Sequence, residues 1–119
     1  MLNKKEFELM RKKLDEFEAK REKTITISRD IIKLSKEIIY SLHRSDISSA
    51  LKYVNKIKSI IKLLDRNKSY DTEISNVAFQ EYVEALAYFE FIDKGIIPSA
   101  KDLDVGVEAY LCGIADLTG

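Results

Sequence analysis

The sequence has no tryptophan, one proline, one cysteine, one histidine and four glycines among 119 residues. The single cysteine, Cys112, excludes an internal disulfide and fits a reducing compartment, which points to a cytoplasmic protein. With His43 the only histidine, the chain cannot supply the two Glu-x-x-His pairs of a ferritin-like di-iron site. A Cys–His nucleophile arrangement, a phosphate-binding glycine loop and a dinucleotide fingerprint are all missing. Apolar runs are short as well. The first residues, "MLNKKEFELMRKKL", lack the apolar core of a signal peptide, and no later stretch reaches the roughly 18 apolar residues of a membrane span. The expectation is a soluble protein with no membrane partner. Scarce proline and glycine leave few points at which a helix must stop.

What remains is 45% hydrophobic and 34% charged residues with a net charge of zero. That is a helix-rich globular profile, and the length suits one domain over residues 1–119. The charge is unevenly placed. Residues 1–23 are close to balance, residues 24–70 hold ten Lys/Arg against four Asp/Glu, and residues 71–119 hold two against ten. A basic middle can meet a polyanion and an acidic end can hold cations. Equally, the two halves can neutralise one another across helix contacts.

Apolar steps of three and four at Ile27, Ile31, Leu34, Ile38 and Leu42 predict one long helix, or two in line, over about 4–44. The β-branched run "TITI" at 24–27 is its weak point. Ser45 or Asp46 is placed to cap a second helix carrying Leu51, Val54, Ile57, Ile61 and Leu64. A turn over 65–71 follows, then a third helix capped by Asp71 or Thr72, running to about Asp93 and closed by Gly95. Residues 96–102 connect, with room for one short helical turn. A last helix runs from Val105 or Val107 to the end, where either Gly119 is its cap or the sequence stops before the helix does. Short turns between helices predict an all-α, antiparallel helical bundle with a long first helix.

The stretch "VAFQEYVEALAYFEFI", residues 77–92, has twelve apolar residues of sixteen, yet carries Glu81 and Glu84. Residues three apart on a helix lie about 60° apart, so the two carboxylates share a face. Such neighbours repel, and burial makes their ionisation costly. Solvent, a basic partner or a metal ion would accommodate them. The helix offers no Lys or Arg from Val77 to Asp93. "EAYLCGIADLTG", residues 108–119, repeats the pattern with a lone Asp116 among apolar residues. Converging oxygen ligands are what Mg²⁺ or Mn²⁺ requires, and such a cluster can activate water against a phosphodiester. The solvated stripe of an amphipathic helix stays open beside this reading. Tyr82, Tyr88 and Tyr110 suit core packing or stacking on bases, His43 suits a helix C-terminus, and Cys112 reads as packing.

Three stretches together resemble the translin family: "ISRDIIKLSKEIIYSLHR" (27–44), "QEYVEALAYFEFI" (80–92) and "IPSAKDLDVGVEAYLCGIADLTG" (97–119). The likeness is nearest to the translin-associated factor X branch and its archaeal relatives. That branch implies a Mg²⁺- or Mn²⁺-dependent endoribonuclease acting on single-stranded RNA. Glu81, Glu84 and Asp116 then stand at the catalytic, metal-binding positions. The translin branch implies instead a non-catalytic subunit that binds single-stranded DNA or RNA. A homo-oligomer, an octamer in full-length members, is implied for both. In the family pattern a glutamate follows the glycine of A-D-L-T-G and further helices come after it, so the chain matches an N-terminal portion. Arg29, Lys33 and Lys36, three or four residues apart, with Arg44 beyond them, are candidate phosphate contacts; solvated surface is the alternative.

Overall fold

A computed structural model describes residues 3–65 and 73–119. The described residues form five helices and no strand: α1 (Lys4–His43), α2 (Ile47–Asp65), α3 (Glu73–Lys94), α4 (Ala100–Leu103) and α5 (Val107–Thr118). The expected bundle with a long first helix is present. The expected turn at 65–71 and the caps at Asp71 and Thr72 lie outside the described residues, apart from the end of α2 at Asp65.

α1 begins where the Asn3 side chain accepts from the Glu6 N–H at 2.8 Å. It runs unbroken through Thr24–Ile27. The reason is local: Thr24 Oγ1 donates to the Lys20 carbonyl, Thr26 Oγ1 to Glu22 and Ser28 Oγ to Thr24. Each hydroxyl directs its proton to the preceding turn, which lets Thr24 and Ser28 be buried without an orphaned polar atom. The helix ends at a Schellman motif. Ser45 takes the left-handed conformation (φ 60°), and the N–H groups of Ser45 and Asp46 reach back to Leu42 and Ser41. Asp46 then caps α2, accepting from the Ser49 N–H at 3.1 Å and the Ser49 hydroxyl at 2.7 Å. These bonds, the hydroxyl's first, lower the Asp46 pKa. Of the two expected caps, Asp46 is the one used.

α2 folds back on α1, and α3 packs along another side of α1 but scarcely meets α2. The core therefore follows one stripe of α1: Ile27, Ile31, Leu34, Ile38 and Leu42, joined by Val54 and Ile57 of α2 and by Ala78, Tyr82, Leu86 and Phe89 of α3. The N-terminal half of α1, residues 4–23, lies wholly exposed. Its heptad-spaced Phe7, Met10, Leu14 and Phe17 are each 48–59% exposed. Forty residues at 1.5 Å each make α1 about 60 Å long, which accounts for the 64 Å long axis of the chain.

Gly95 (φ +71°) closes α3 by donating to the Phe91 carbonyl at 2.8 Å. The chain then doubles back through α4, whose N-terminus is a capping box between Ser99 and Asp102. α5 lies on α3. The Gly119 N–H, bonded to the Ala115 carbonyl at 2.9 Å, caps it. No helix among the described residues is long and apolar enough to cross a membrane.

Candidate functional site

The seat of α5 is decided at one residue. Gly113 sits so close to α3 that a Cβ there would lie 2.6 Å from Val83 Cβ and 2.8 Å from the Gln80 carbonyl oxygen. Only hydrogen fits, and Gly113 is the one buried residue of α5. Advancing along α5 from Gly113 to Leu117 keeps pace with α3 from Val83 to Tyr88, so the two helices run in the same general sense. The doubled-back connection makes that arrangement possible.

Asp116 follows Gly113 by one turn and Glu84 follows Val83 directly, so the close approach brings these acids together. The Glu84 carboxyl titrates above its ordinary range: burial contributes most, then the charges of Glu81 and Asp116. All three sequence-predicted acids thus share one electrostatic neighbourhood. Glu81 and Glu84 are half-buried and Asp116 is exposed. Among the described residues, no group of three or more His, Cys, Asp and Glu side chains is gathered tightly enough to hold a metal ion. In kind, the donor set suits a hard divalent cation: carboxylate oxygens, with no Lys or Arg on α3 before Lys94.

Next to the acids lies a cleft of about 490 Å³. Its α3 wall is Glu84, Tyr88 and Phe91, which fall within about 60° of one another round the helix. The rest of the lining comes from Ile39 and His43 of α1, Ile97 of the connection, and Leu117 and Thr118 of α5. His43 packs its ring against Tyr88, centroids 5.7 Å apart and planes tilted by 59°. Sequence spacing gave no sign of this pairing, because it joins residues 45 positions apart. The carbonyls at the end of α1 are instead met by the backbone N–H groups of residues 44–46.

Tyr82 and Tyr110 serve the fold: Tyr82 is 4% exposed and the Tyr110 hydroxyl donates to the Pro98 carbonyl at 2.8 Å. Cys112 corrects the expectation of packing, for it is exposed. α5 touches the bundle along one narrow line, and Val107 and Leu111 are more than 60% exposed. Arg29, Lys33 and Lys36 are exposed along α1. By helical geometry Lys36 stands within about 60° of Ile39 and His43, so the basic stripe borders the cleft. Arg44, past the end of α1, donates through Nη2 to Ser41 Oγ at 3.4 Å.

No family model matches the chain. The chain is 32% identical over 103 residues to an uncharacterized protein of Methanocaldococcus jannaschii, a match covering 83% of this chain and 46% of that protein. It is 29% identical over 125 residues to the translin-associated protein X homolog of Schizosaccharomyces pombe, covering 89% and 54%. The fold superimposes on the crystal structure of apo-NeC3PO with a TM-score of 0.88 and 32% identity, over 100% of this chain and 64% of that one. It also superimposes on AfC3PO in its complex with duplex RNA, with a TM-score of 0.83 and 29% identity, over 95% and 60%. The chain spans about half the length of the curated relatives it matches.

Proposed function

Because the chain is a translin/TRAX-like protein in sequence and fold, we propose that it is the acid-bearing subunit of a metal-dependent endoribonuclease acting on single-stranded RNA. The observation that carries this reading is the close seat of α5 on α3 at Gly113, which brings the charge of Asp116 to bear, with that of Glu81, on the partly buried Glu84. Two helices hold like charges together at a cost in stability, which is common where a site needs them.

In this reading Glu81, Glu84 and Asp116 hold Mg²⁺ or Mn²⁺ and orient the attacking water. A bound divalent cation supplies Lewis acidity and neutralises charge developing on the phosphoryl oxygens. Arg29, Lys33 and Lys36 hold flanking phosphates, with Arg44 at the end of the same path. The complex of AfC3PO with duplex RNA supports nucleic-acid binding by this fold. Phe7, Met10 and Leu14, exposed on α1, favour assembly into a homo-oligomer, and the family resemblance implies an octamer for a full-length chain.

The test is a cleavage assay on labelled single-stranded RNA. Cleavage needs Mg²⁺ or Mn²⁺, stops with EDTA, and falls by about 100-fold or more in Glu84→Ala. Cleavage indifferent to both EDTA and the substitution overturns the reading. A second reading is a non-catalytic subunit that binds single-stranded DNA or RNA. The open spacing of the acids favours it, and salt-sensitive binding without cleavage is its signature.

A further inference from the structure

Resting on the nucleic-acid reading above, we propose that the cleft between Tyr88, Phe91, His43 and Ile97 receives one unpaired nucleobase. The cleft and the acid neighbourhood share Glu84 as a common wall. From Glu84, Tyr88 stands one helical turn along α3, about 6 Å, and Phe91 about 10 Å. A ligand reaching from the acids into the cleft therefore passes from carboxylates to aromatic rings within roughly the length of one nucleotide.

The chemistry of the walls selects among small ligands. Phe91 and Ile97, which line the cleft, expose 53% and 49% of their surfaces, so it offers apolar area to a ligand. A base has two apolar faces and a polar edge. Its faces suit the Phe91 ring and Ile97, and its edge can meet the His43 imidazole, the Tyr88 hydroxyl and the Thr118 hydroxyl. A phosphate or other anion suits the cleft poorly, because the Glu84 carboxylate lines it and it contains no Lys or Arg. A volume of about 490 Å³ lies within the range of small-molecule pockets. A base within a duplex is stacked and paired, so it cannot enter; the cleft accepts a base from a single strand or one turned out of a helix.

His43 and Tyr88 both line the cleft. The two rings meet in a tilted contact that leaves no slot between them, so the base stacks toward Phe91. Phe91 is the stacking residue to test, since its exposure makes truncation harmless to the core.

The experiment measures, by fluorescence anisotropy, binding of a labelled single-stranded RNA and of the same strand with abasic riboses. The chain prefers the intact strand by about tenfold, the size of one base–aromatic stack. Phe91→Ala and Ile97→Asp each abolish that preference while keeping the wild-type circular dichroism spectrum, and Tyr88→Phe keeps most of it. Equal binding of intact and abasic strands by the wild type overturns the base pocket and leaves nucleic-acid binding standing. So does a preference that survives both Phe91→Ala and Ile97→Asp. Binding of neither strand overturns both readings together.

Discussion

Glu84 concentrates the electrostatic cost of the site in one carboxyl group. Its folded-state pKa lies above the ordinary value of 4.5, through burial first and then the charges of Glu81 and Asp116. Between pH 4.5 and that raised value, the folded chain binds more protons than the unfolded one. Stability therefore falls as pH rises through this window, and the penalty is fully present above it. Glu84→Gln removes the ionisation. Thermal melts of the variant and the wild type should converge near about pH 4 and diverge as pH rises, with Glu84→Gln the more stable at about pH 7. A gap of the same size at every pH would trace the effect to packing. Asp46 carries the opposite sign: its lowered pKa stabilises the fold above pH 3.8, and that contribution is lost in acid.

Two helices owe their places to different devices. α5 is seated by the absence of a side chain at Gly113, where Val83 and the Gln80 carbonyl leave no room for a Cβ. Gly113→Ala must push α5 off α3, at a cost of about 1–3 kcal/mol for overpacking. It also carries Asp116 away from Glu84, so the pH-dependent gap opened by Glu84→Gln should narrow in the Gly113→Ala background. Melting curves of the wild type, the two single variants and the double variant across pH check both effects. Among the described residues, the burial of α1 lies in its C-terminal half. Ile31 is fully buried, and Ile31→Ala should cost about 2–5 kcal/mol in urea unfolding. Leu14 is 56% exposed on the same helix, and Leu14→Ala should stay within about 0.5 kcal/mol of wild type while the chain is monomeric. Glu8 and Lys12, and Glu16 and Lys20, stand at the i,i+4 spacing that favours helix along the exposed half of α1.

Across the whole molecule, charge is divided along the chain and the fold keeps part of that division on the surface. Arg29, Lys33 and Lys36 stay exposed on α1, beside a cleft whose charged wall is acidic. Phosphates held by the first set place the rest of a strand near the second. Replacing Arg29, Lys33 and Lys36 together with alanine should weaken single-strand binding. It should also lower the slope of log K against log salt by about 2, at roughly 0.7 for each phosphate no longer held. Anisotropy titrations between roughly 50 and 200 mM salt provide the measurement. An unchanged slope would place the phosphates elsewhere, with the lysines of α2 at 52, 56, 58 and 62 the next basic surface to examine.

The helices and most of their ends follow from local chemistry written in the sequence: apolar steps of three and four, Asp46 before an apolar run, Gly95 and Gly119 after one. The unbroken course of α1 through Thr24–Ile27 did not, because propensity alone counts β-branched residues against a helix and overlooks their hydroxyl bonds to the preceding turn. Glu81 and Glu84 were legible as a pair, since helical spacing is local. That Asp116 adds its charge to theirs depends on Gly113 meeting Val83, a contact between residues 30 positions apart. The His43–Tyr88 contact, the cleft beside it and the exposure of Cys112 likewise arise only where separate helices meet or fail to meet. Periodicity records which face of a helix is apolar; packing in three dimensions decides whether another helix covers it.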